Sequence, residues 1–392
     1  MQARFKHQGF YPELLEKLPE NLRTELEFLK NFFAPYTKRV YMVGGSVRDL
    51  VRNEIFHTSY SITDLDLEVY GIAPEEFDAL MQKLGAKGVG KSFFVYKYKT
   101  DIDISLPRIE SKVGKGHRAF HVELAKDEKE ASRRRDFRMN ALMLNIFDGK
   151  LLDFWGGVED IVHRRIAIID SQKFKEDSLR VLRAMQFSAR FGFRIEPKSA
   201  AIMCEIPLDD LSHERIFWEF EKMFLGAYLH YGLYYLLALG IAKKIFGIAV
   251  SRKIYLRTAL EMQRGRKHFQ PKLYKFYFLY IFAKNLHKRF DYFLERLHTP
   301  RVYFQAFRKQ KSLPKRRSDR FLAALAMRFG LKEYLGNYKI DVQERAKKLG
   351  LWEKPFVPVT PKELLAEGFR GEALGKELRK RTLQIIRQRF AA

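Results

Sequence analysis

Apolar and polar positions follow different patterns in the first third of the chain and in the remainder. Early in the chain, short alternating or β-branched runs predict strands, which stand between stretches of helical periodicity. The predicted strands are residues 39–43, 61–71, 92–100 and 101–107, and the predicted helices cover 12–35, 46 onward and 74–84. From about Asp170 the pattern is helical to the end, with long runs over 176–191 and 213–225. We therefore predict a mixed α and β part followed by an all-helical part.

One apolar segment, residues 223–242, has no formal charge over a length that could cross a bilayer. It is interrupted by Gly226, His230, Gly232 and Gly240. We expect two buried helices joined by a turn, and no membrane span. The N-terminus has no apolar core of signal-peptide length, which favours a cytoplasmic protein over a secreted one.

The charge of the chain is strongly basic. It has 73 Lys and Arg residues against 47 Asp and Glu, a formal net charge of +26 in 392 residues. This surplus indicates a polyanionic partner, nucleic acid before an anionic membrane surface. Residues 251–320 hold 20 Lys and Arg against 4 Asp and Glu, so the surplus lies mainly in the helical half. The single cysteine, Cys204, excludes an internal disulfide and a cysteine-rich zinc site.

Two adjacent glycines, Gly44 and Gly45, stand where the strand predicted over 39–43 gives way to a helix. Glycines at such a junction let the backbone approach a ligand closely, and the N–H groups of the helix N-terminus favour an anion. Most such pairs are only tight turns, so this pattern alone leaves both a turn and a phosphate site open.

Carboxylates occupy alternate positions on two predicted strands. Asp64 and Asp66 share one face of a strand, and so do Asp101 and Asp103. If the two strands are neighbours, three carboxylates converge, and they repel one another unless a cation lies between them. Because hard oxygen ligands suit Mg²⁺, we expect a magnesium site that serves phosphoryl displacement. A single Asp-x-Asp is more often a solvated strand edge, but the glycine turn and the positive charge favour the metal site.

Six segments occur in the order and spacing of one protein family. They are VGGSVRDL (43–50), DLDLEVYG (64–71), RRRDFRMNAL (133–142), LLDFWGGVED (151–160), EDSLRVLRAMQFSARFGF (176–193) and ERIFWEFEKMF (214–224). On these residues the chain resembles the class II tRNA nucleotidyltransferase and bacterial poly(A) polymerase family of the polymerase β superfamily. The resemblance covers about residues 35–245, and beyond it only residues 359–378 are similar, to the family's tail segment.

The resemblance implies an α+β fold: a polymerase-β-like nucleotidyltransferase head with a mixed sheet, followed by an all-α neck, body and tail. We assign residues 1–36 to an N-terminal helical extension, 37–165 to the catalytic head, 166–245 to a nucleotide-selecting neck, and 246–392 to a basic body and tail that bind tRNA. The implied activity is template-independent addition of CMP and AMP to the tRNA 3′ end from CTP and ATP, with two Mg²⁺ ions. No obligate protein partner is evident.

The resemblance also assigns roles to single residues. Gly44, Gly45 and Arg48 would hold the incoming triphosphate, while Asp64 and Asp66 would be catalytic and bind the metal ions.

Two further groups of residues would complete the catalytic centre. Asp103, and not Asp101, stands where the family has its third catalytic carboxylate. Arg135 would contact the nucleotide, with Asp136 and Asn140 bracing the site.

Some polar residues near these motifs have a plainer interpretation. Asp49 is expected to orient Arg48 or to cap the turn, and Arg133 and Arg134 fit an exposed basic run.

Base selection would depend on the EDSLRVLR segment. Asp177 and Arg180 lie three apart and so face the same way on a helix, where a carboxylate and a guanidinium can read a base edge. Without the family context, an ordinary intrahelical ion pair is the simpler interpretation. Arg183 would add a phosphate or ribose contact.

The chain departs from the family pattern at Arg138, Ser178 and Gln186, where Thr, Pro and a nucleotide-binding Arg are common. The stretch from Ser105 to Arg133 is long enough for the loop that the family links to switching from CTP to ATP, which argues against a CC-only enzyme. An A-adding enzyme, a poly(A) polymerase and a catalytically retired RNA-binding protein remain alternatives. Because no His-Asp dipeptide occurs, we expect no appended phosphohydrolase domain.

Overall fold

The computed structural model describes residues 8–88, 95–112, 120–308, 310–314 and 317–390. They form two compact units, the first of Met1–Ala184 with Gly192–Leu211 and the second of Met185–Phe191 with Ser212–Ala392. The division falls inside one long helix, so the sequence motif over 176–193 contributes to both units.

The first unit is built on a mixed sheet, as predicted. Its strands are β1 (Gly9–Phe10), β2 (Val40–Val43), β3 (Leu65–Val69), β4 (Lys87–Gly88), β5 (Val95–Tyr98), β6 (Ile102–Ser105), β7 (Arg108–Lys112), β8 (Phe120–Leu124), β9 (Met143–Asn145), β10 (Lys150–Leu152), β11 (Arg165–Ile166) and β12 (Arg194–Ile195). Eight of them form one sheet in the order β1-β10-β9-β2-β3-β6-β5-β4. The β3–β6 pairing is parallel, whereas the other pairings in this sheet are antiparallel.

Helices of the first unit precede, connect and follow these strands. They are α1 (Glu13–Glu16), α2 (Glu20–Phe33), α3 (Gly45–Phe56), α4 (Pro74–Lys83), α5 (Glu128–Arg133), α6 (Gly157–Val162), α7 (Ser171–Lys175), α8 (Leu179–Phe191, shared with the second unit) and α9 (Pro197–Glu205). The single helix predicted over 12–35 is wrong, because Pro19 has an extended backbone (ψ 145°) and separates α1 from α2. Residues 113–119 of the predicted loop, and 92–94 of a predicted strand, lie outside the described residues.

The second unit is helical throughout its described residues. Its helices are α10 (His213–Phe224), α11 (Leu229–Ala238), α12 (Ile241–Phe246), α13 (Arg252–Gly265), α14 (Tyr274–Leu286), α15 (Asp291–Arg296), α16 (Arg301–Phe307), α17 (Asp319–Ala326), α18 (Ile340–Lys348), α19 (Pro361–Ala366) and α20 (Gly371–Arg389). Among the described residues, no helix combines the length and apolar character needed to cross a membrane.

The apolar segment 223–242 is interrupted by a turn, as predicted, but the breaks differ from the expected ones. The turn includes Gly226, where an added Cβ would lie 2.6 Å from the Ala189 carbonyl oxygen. Gly232 does not break the chain: it lies inside α11, where an added Cβ would lie 2.9 Å from both the Ala189 Cβ and the Met223 Cγ. This glycine therefore permits close helix packing.

The core of the second unit surrounds α14, in which Phe276–Ala283 are all buried. A polar cluster adjoins it. The Glu261 carboxylate accepts hydrogen bonds from Lys284 Nζ at 2.6 Å, Asn285 Nδ2 at 2.9 Å and Tyr338 OH at 2.9 Å. Burial alone would raise the pKa of Glu261, but Lys284 and the other donors lower it to about 2.

This cluster makes the stability of the second unit depend on pH. Because the pKa of Glu261 is about 2 in the folded protein and 4.5 for an ordinary glutamate, its contribution to stability is complete above pH 4.5 and is lost as the pH falls toward 2. We expect Glu261→Gln to lower the free energy of unfolding by about 3 kcal/mol at pH 7 and by less at pH 3. Urea unfolding at both pH values measures this, with the exposed Glu344→Gln as a control. A loss of equal size at both pH values would contradict the assignment.

Candidate active site

The glycine turn brings three separate motifs together. β2 ends at Val43, and Gly44 follows with φ +76°, a conformation that favours glycine. An added Cβ on Gly44 would lie 3.0 Å from Arg135 Nη1 and 3.5 Å from Asp66 Oδ2. The turn therefore leaves room for a guanidinium and a carboxylate directly beside the start of α3.

The aspartates of two strands meet as the alternation predicts. Asp66 on β3 is the register partner of Asp103 on the parallel neighbour β6, and Asp64 immediately precedes β3. Asp66 is exposed on one side, but the protein atoms packed around it still raise its pKa by desolvation; Arg135 lowers this pKa, and the nearby Asp64 and Asp103 raise it. Asp101 lies in the turn before β6.

These carboxylates have the chemistry of a site for a hard divalent cation. The mutual repulsion that raises the pKa of Asp66 is the repulsion that a cation would relieve. Among the described residues, no three or more His, Cys, Asp or Glu side chains are placed so that they could hold one metal ion together, so the expected convergence of three carboxylates is not present as a ready-made site. Lys97 Nζ lies 3.6 Å from Asp103 Oδ1, so the Asp103 carboxylate already has a positively charged side chain beside it. The protein thus offers few ligands, as magnesium sites completed by substrate phosphates do.

A buried carboxylate that the sequence analysis did not single out, Glu68, lies behind this site. It accepts hydrogen bonds from Arg134 Nη2 and Arg135 Nη2, both at 2.9 Å, and from Tyr70 OH at 2.8 Å. Burial acts to raise the pKa of Glu68, but Arg135 and Arg134 hold it below its usual value. Its position two residues after Asp66 is the signal that could have identified it, since it continues the same alternation.

The prediction that residues 133 and 134 form an exposed basic run is correct for one of the two residues only. Arg133 is exposed at the surface, where it contacts Asp170 at 2.6 Å. Arg134 turns inward to Glu68, with 19% of its side chain exposed. The burial of Glu68 explains the difference, because a carboxylate without water needs charged donors.

A continuous hydrogen-bonded chain links α3 to α8. Arg48 is buried and donates to both Asp49 oxygens, at 3.0 and 2.8 Å, and to Asn140 Oδ1 at 2.7 Å. Asn140 Nδ2 donates to Asp136 Oδ1 at 2.9 Å, and Arg183 Nε donates to Asp136 Oδ2 at 2.6 Å. Asp49 orients Arg48, as expected. These hydrogen bonds join residues from three of the sequence motifs into one rigid network.

The two residues expected to read the base do not both lie on the helix. Asp177 precedes α8, and its Oδ1 accepts a hydrogen bond from the Leu179 N–H at 3.3 Å, so the prediction of one shared helix is wrong for Asp177. Arg180 lies on α8 and donates through Nη1 to the Lys173 carbonyl and through Nη2 to the Arg134 carbonyl, at 2.7 and 2.8 Å. The Asp177 carboxylate accepts from a backbone N–H of the first helical turn, which has no carbonyl partner within the helix, and this favours a helix start just after Asp177.

The three departures from the family pattern have defined surroundings. Ser178 is buried and donates to Asp210 Oδ1. Gln186 is buried, and its Oε1 has no hydrogen-bond partner among the described residues. Arg138 attracts the Asp160 carboxylate electrostatically. Burial raises the pKa of Asp160 to about 6, and the positive charges of Arg165 and Arg138 oppose this rise.

Relatives with curated names include CCA-adding enzymes. The enzyme of Lactococcus lactis subsp. lactis (strain IL1403) is 34% identical over 239 residues, which are 58% of this chain and 57% of the relative. A multifunctional CCA protein of Shewanella denitrificans is 37% identical over 198 residues, 47% of this chain and 44% of that protein. The chain therefore spans about half the length of the curated relatives that it matches.

Solved structures share the fold along nearly the whole chain. The CCA-adding enzyme of Bacillus stearothermophilus, in complex with CTP, has a TM-score of 0.69 at 20% identity and covers 95% of this chain and 94% of its own. The CCA-adding enzyme of Thermotoga maritima, complexed with tRNA, also has a TM-score of 0.69 at 20% identity, with 99% and 97% covered. The predicted fold class is thus confirmed: a polymerase-β-like head with a mixed sheet followed by helical domains.

Two family models match the chain in the order that the motifs indicate. Residues 40–167 match the poly(A) polymerase head domain. Residues 192–249 match a segment described as a probable RNA- and SrmB-binding site of polymerase A. The predicted resemblance is therefore confirmed, since the two matches lie in the part of the chain, about residues 35–245, on which the resemblance rests.

Proposed function

We propose that this protein is a nucleotidyltransferase that adds CMP and AMP to the 3′ end of tRNA from CTP and ATP without a template. The observation that carries the proposal is the meeting of Gly44, Asp66 and Arg135 at one point of the sheet, with Asp103 in register beside Asp66. A phosphate turn, neighbouring carboxylates and a half-buried cation are the parts that phosphoryl transfer needs. The names of the relatives favour CCA addition over the other activities of the family.

The triphosphate would lie at the start of α3. The first backbone N–H groups of α3, which begins at Gly45, have no acceptor within the helix and can bind an anion. Arg48 adds positive charge beside the turn, because its Nη2 lies 3.5 Å from the Cβ position of Gly45. Arg135, already placed against the turn by Glu68, would contact the nucleotide phosphates. Asp136 and Asn140 would hold Arg48 and Arg183 in place.

Asp64 and Asp66 are the residues that would hold magnesium, with Asp103 as the third carboxylate. Bound there, magnesium would supply charge neutralisation at the phosphates and activation of the RNA 3′-hydroxyl. The carboxylates would also orient that hydroxyl toward the α-phosphate. Divalent-metal dependence is general in the polymerase β superfamily, and magnesium is our specific proposal.

Base selection would lie at the start of α8. The Arg180 guanidinium is fixed by two backbone carbonyls and keeps further N–H donors for a base edge. Asp177 stands one turn earlier in the chain, where a carboxylate can accept from the amino group of cytosine or adenine. Arg183, with a third of its side chain exposed at 33%, would reach the ribose or a phosphate. A tRNA substrate implies a cytoplasmic location.

The first test is nucleotide addition by the purified protein to a tRNA that ends at its discriminator base. We expect CTP alone to give two additions and CTP with ATP to give three, with activity lost on chelation of metal by EDTA. Addition of AMP alone would indicate an A-adding enzyme. Addition of a long tract of AMP residues would indicate a poly(A) polymerase, and the absence of any addition would indicate a catalytically retired protein.

Asp66→Asn should reduce this addition at least a thousandfold while leaving tRNA affinity within about twofold, since the carboxylate acts on the reaction and not on RNA binding. Asp101→Asn is the matched control, because Asp101 lies on the neighbouring strand turn outside the carboxylate group. Activity of Asp66→Asn within tenfold of the unchanged protein would remove the metal assignment.

The base-reading role predicts a change in selectivity for Asp177→Asn. The amide keeps an oxygen that can cap α8 but replaces a charged acceptor, and loss of a charged hydrogen bond is worth roughly 1.5–3 kcal/mol, about ten- to a hundredfold. We expect kcat/KM for UTP and GTP to rise relative to CTP and ATP by that factor.

The matched control is Asp170→Asn, because Asp170 caps the neighbouring α7 through Gln172 and Lys173. Thermal melts should show similar folding of both variants. An unchanged CTP to UTP ratio in active Asp177→Asn would assign base selection to other residues.

A further inference from the structure

A large basic cavity lies in the second unit, and none of the sites described above includes it. Its volume is about 860 Å³, and it is bounded by the end of α14, the segment leading into α15, helix α16 and the residues after it. Its basic lining residues are Lys284, His287, Lys288, Arg289, Arg301 and Arg308. Asp291 is the acidic residue of the lining, and Arg289 already binds its carboxylate at 3.0 Å. The cavity is thus suited to an anion.

Aromatic rings form the cavity's inner wall. Phe290 is stacked on Tyr280, with ring centroids 5.4 Å apart, and also packs against Phe307 at 5.0 Å. Tyr280 and Phe307 are buried, which makes this wall rigid. Phe304 differs from them, because 37% of it is exposed although it lines the same cavity. An exposed phenylalanine beside arginines offers a stacking face for a flat ligand.

A second cavity of about 510 Å³ adjoins the first and shares Lys284, His287 and Leu313 with it. It adds Arg257, Arg264, Arg317 and Lys339 to the basic surface. The acidic residue in its lining is Glu261, which is already bound to Lys284. An anionic chain leaving the first cavity would therefore meet positive charge along its path.

We propose that the first cavity binds one unstacked nucleotide of an RNA, with a phosphate at Arg301 and Arg308 and the base stacked on Phe304. A concave site of this volume accepts a single base, which a base-paired helix does not expose and a bilayer surface does not contain. The choice of RNA rests on the proposed function, but the site lies in the other unit from the carboxylates.

The first experiment separates stacking from charge. Phe304→Ala should bind a tRNA lacking its CCA end about tenfold more weakly, while the slope of log affinity against log salt stays the same. Its affinity for a blunt, fully paired RNA duplex should not change. Phe304→Tyr, which keeps an aromatic ring, should bind tRNA as the unchanged protein does, and Val302→Ala is the control on the same helix because Val302 is 44% exposed and does not line the cavity.

An unchanged tRNA affinity in folded Phe304→Ala, or an equal loss for tRNA and duplex, would overturn the proposal. If the alanine variant does not fold, Phe304→Leu replaces it, since leucine keeps apolar bulk without a π face. Loss of binding to phosphatidylserine vesicles with unchanged tRNA binding would also overturn it, in favour of a membrane site.

The second experiment tests the phosphate contacts. Arg301→Gln with Arg308→Gln should reduce the magnitude of the salt slope for tRNA by about 0.7 to 0.9, the value for the one phosphate that the two arginines would hold. The control is Arg252→Gln with Lys253→Gln, which removes two exposed charges from α13 outside both cavities. An equal effect of both pairs would indicate diffuse attraction and contradict a defined site.

Nucleotide addition distinguishes this proposal from the proposed function. If the unchanged protein shows the Phe304 effect on tRNA binding but adds no nucleotide, the cavity assignment stands and the enzymatic proposal fails. If it adds nucleotides and Phe304→Ala binds tRNA normally, the enzymatic proposal stands and the cavity assignment fails.

Discussion

The arrangement of the candidate active site depends on one buried ionic contact, that of Glu68 with Arg134 and Arg135. A carboxylate with 2% of its surface exposed is costly unless charged donors surround it, and here two guanidinium groups and Tyr70 do so. Because Glu68 fixes Arg135, the guanidinium lies against Gly44 and beside Asp66 before any ligand arrives. This preorganisation is what electrostatic catalysis of phosphoryl transfer requires.

A second hydrogen-bonded network extends from the glycine turn toward α8, where we propose that the base is selected. Arg48 beneath the turn is bound to Asn140, Asn140 to Asp136, and Asp136 to Arg183 at the start of α8. Burial would raise the pKa of Asp136, but Arg183 and Asn140 lower it, so the carboxylate remains charged and holds both neighbours. Phosphate binding and base recognition would therefore share one rigid frame in which no side chain moves independently.

In the helical unit, the same elements provide stability and form the basic cavities for which we propose RNA binding. α14 contributes its apolar side chains to the core, while Lys284 near its end holds Glu261 and also lines both basic cavities. Cations that belong to a buried network lose little freedom when an anion binds, which favours a defined site over loose attraction. Part of the basic surplus of residues 251–320 is thus held in a buried network through Lys284.

The sequence by itself determined the parts that depend on local pattern: the strand that begins just after Asp64 and carries Asp66, the glycine turn, the helical second half, and the family motifs. Tertiary structure alone decided which distant residues meet. The parallel pairing that places Asp103 beside Asp66, and the inward turn of Arg134 toward Glu68, depend on contacts between segments far apart in the chain. Likewise, Gly232 is a packing position because Ala189 lies against it. Local periodicity specifies how each segment folds, but burial is a property of the whole assembly, and burial decides which charges must pair.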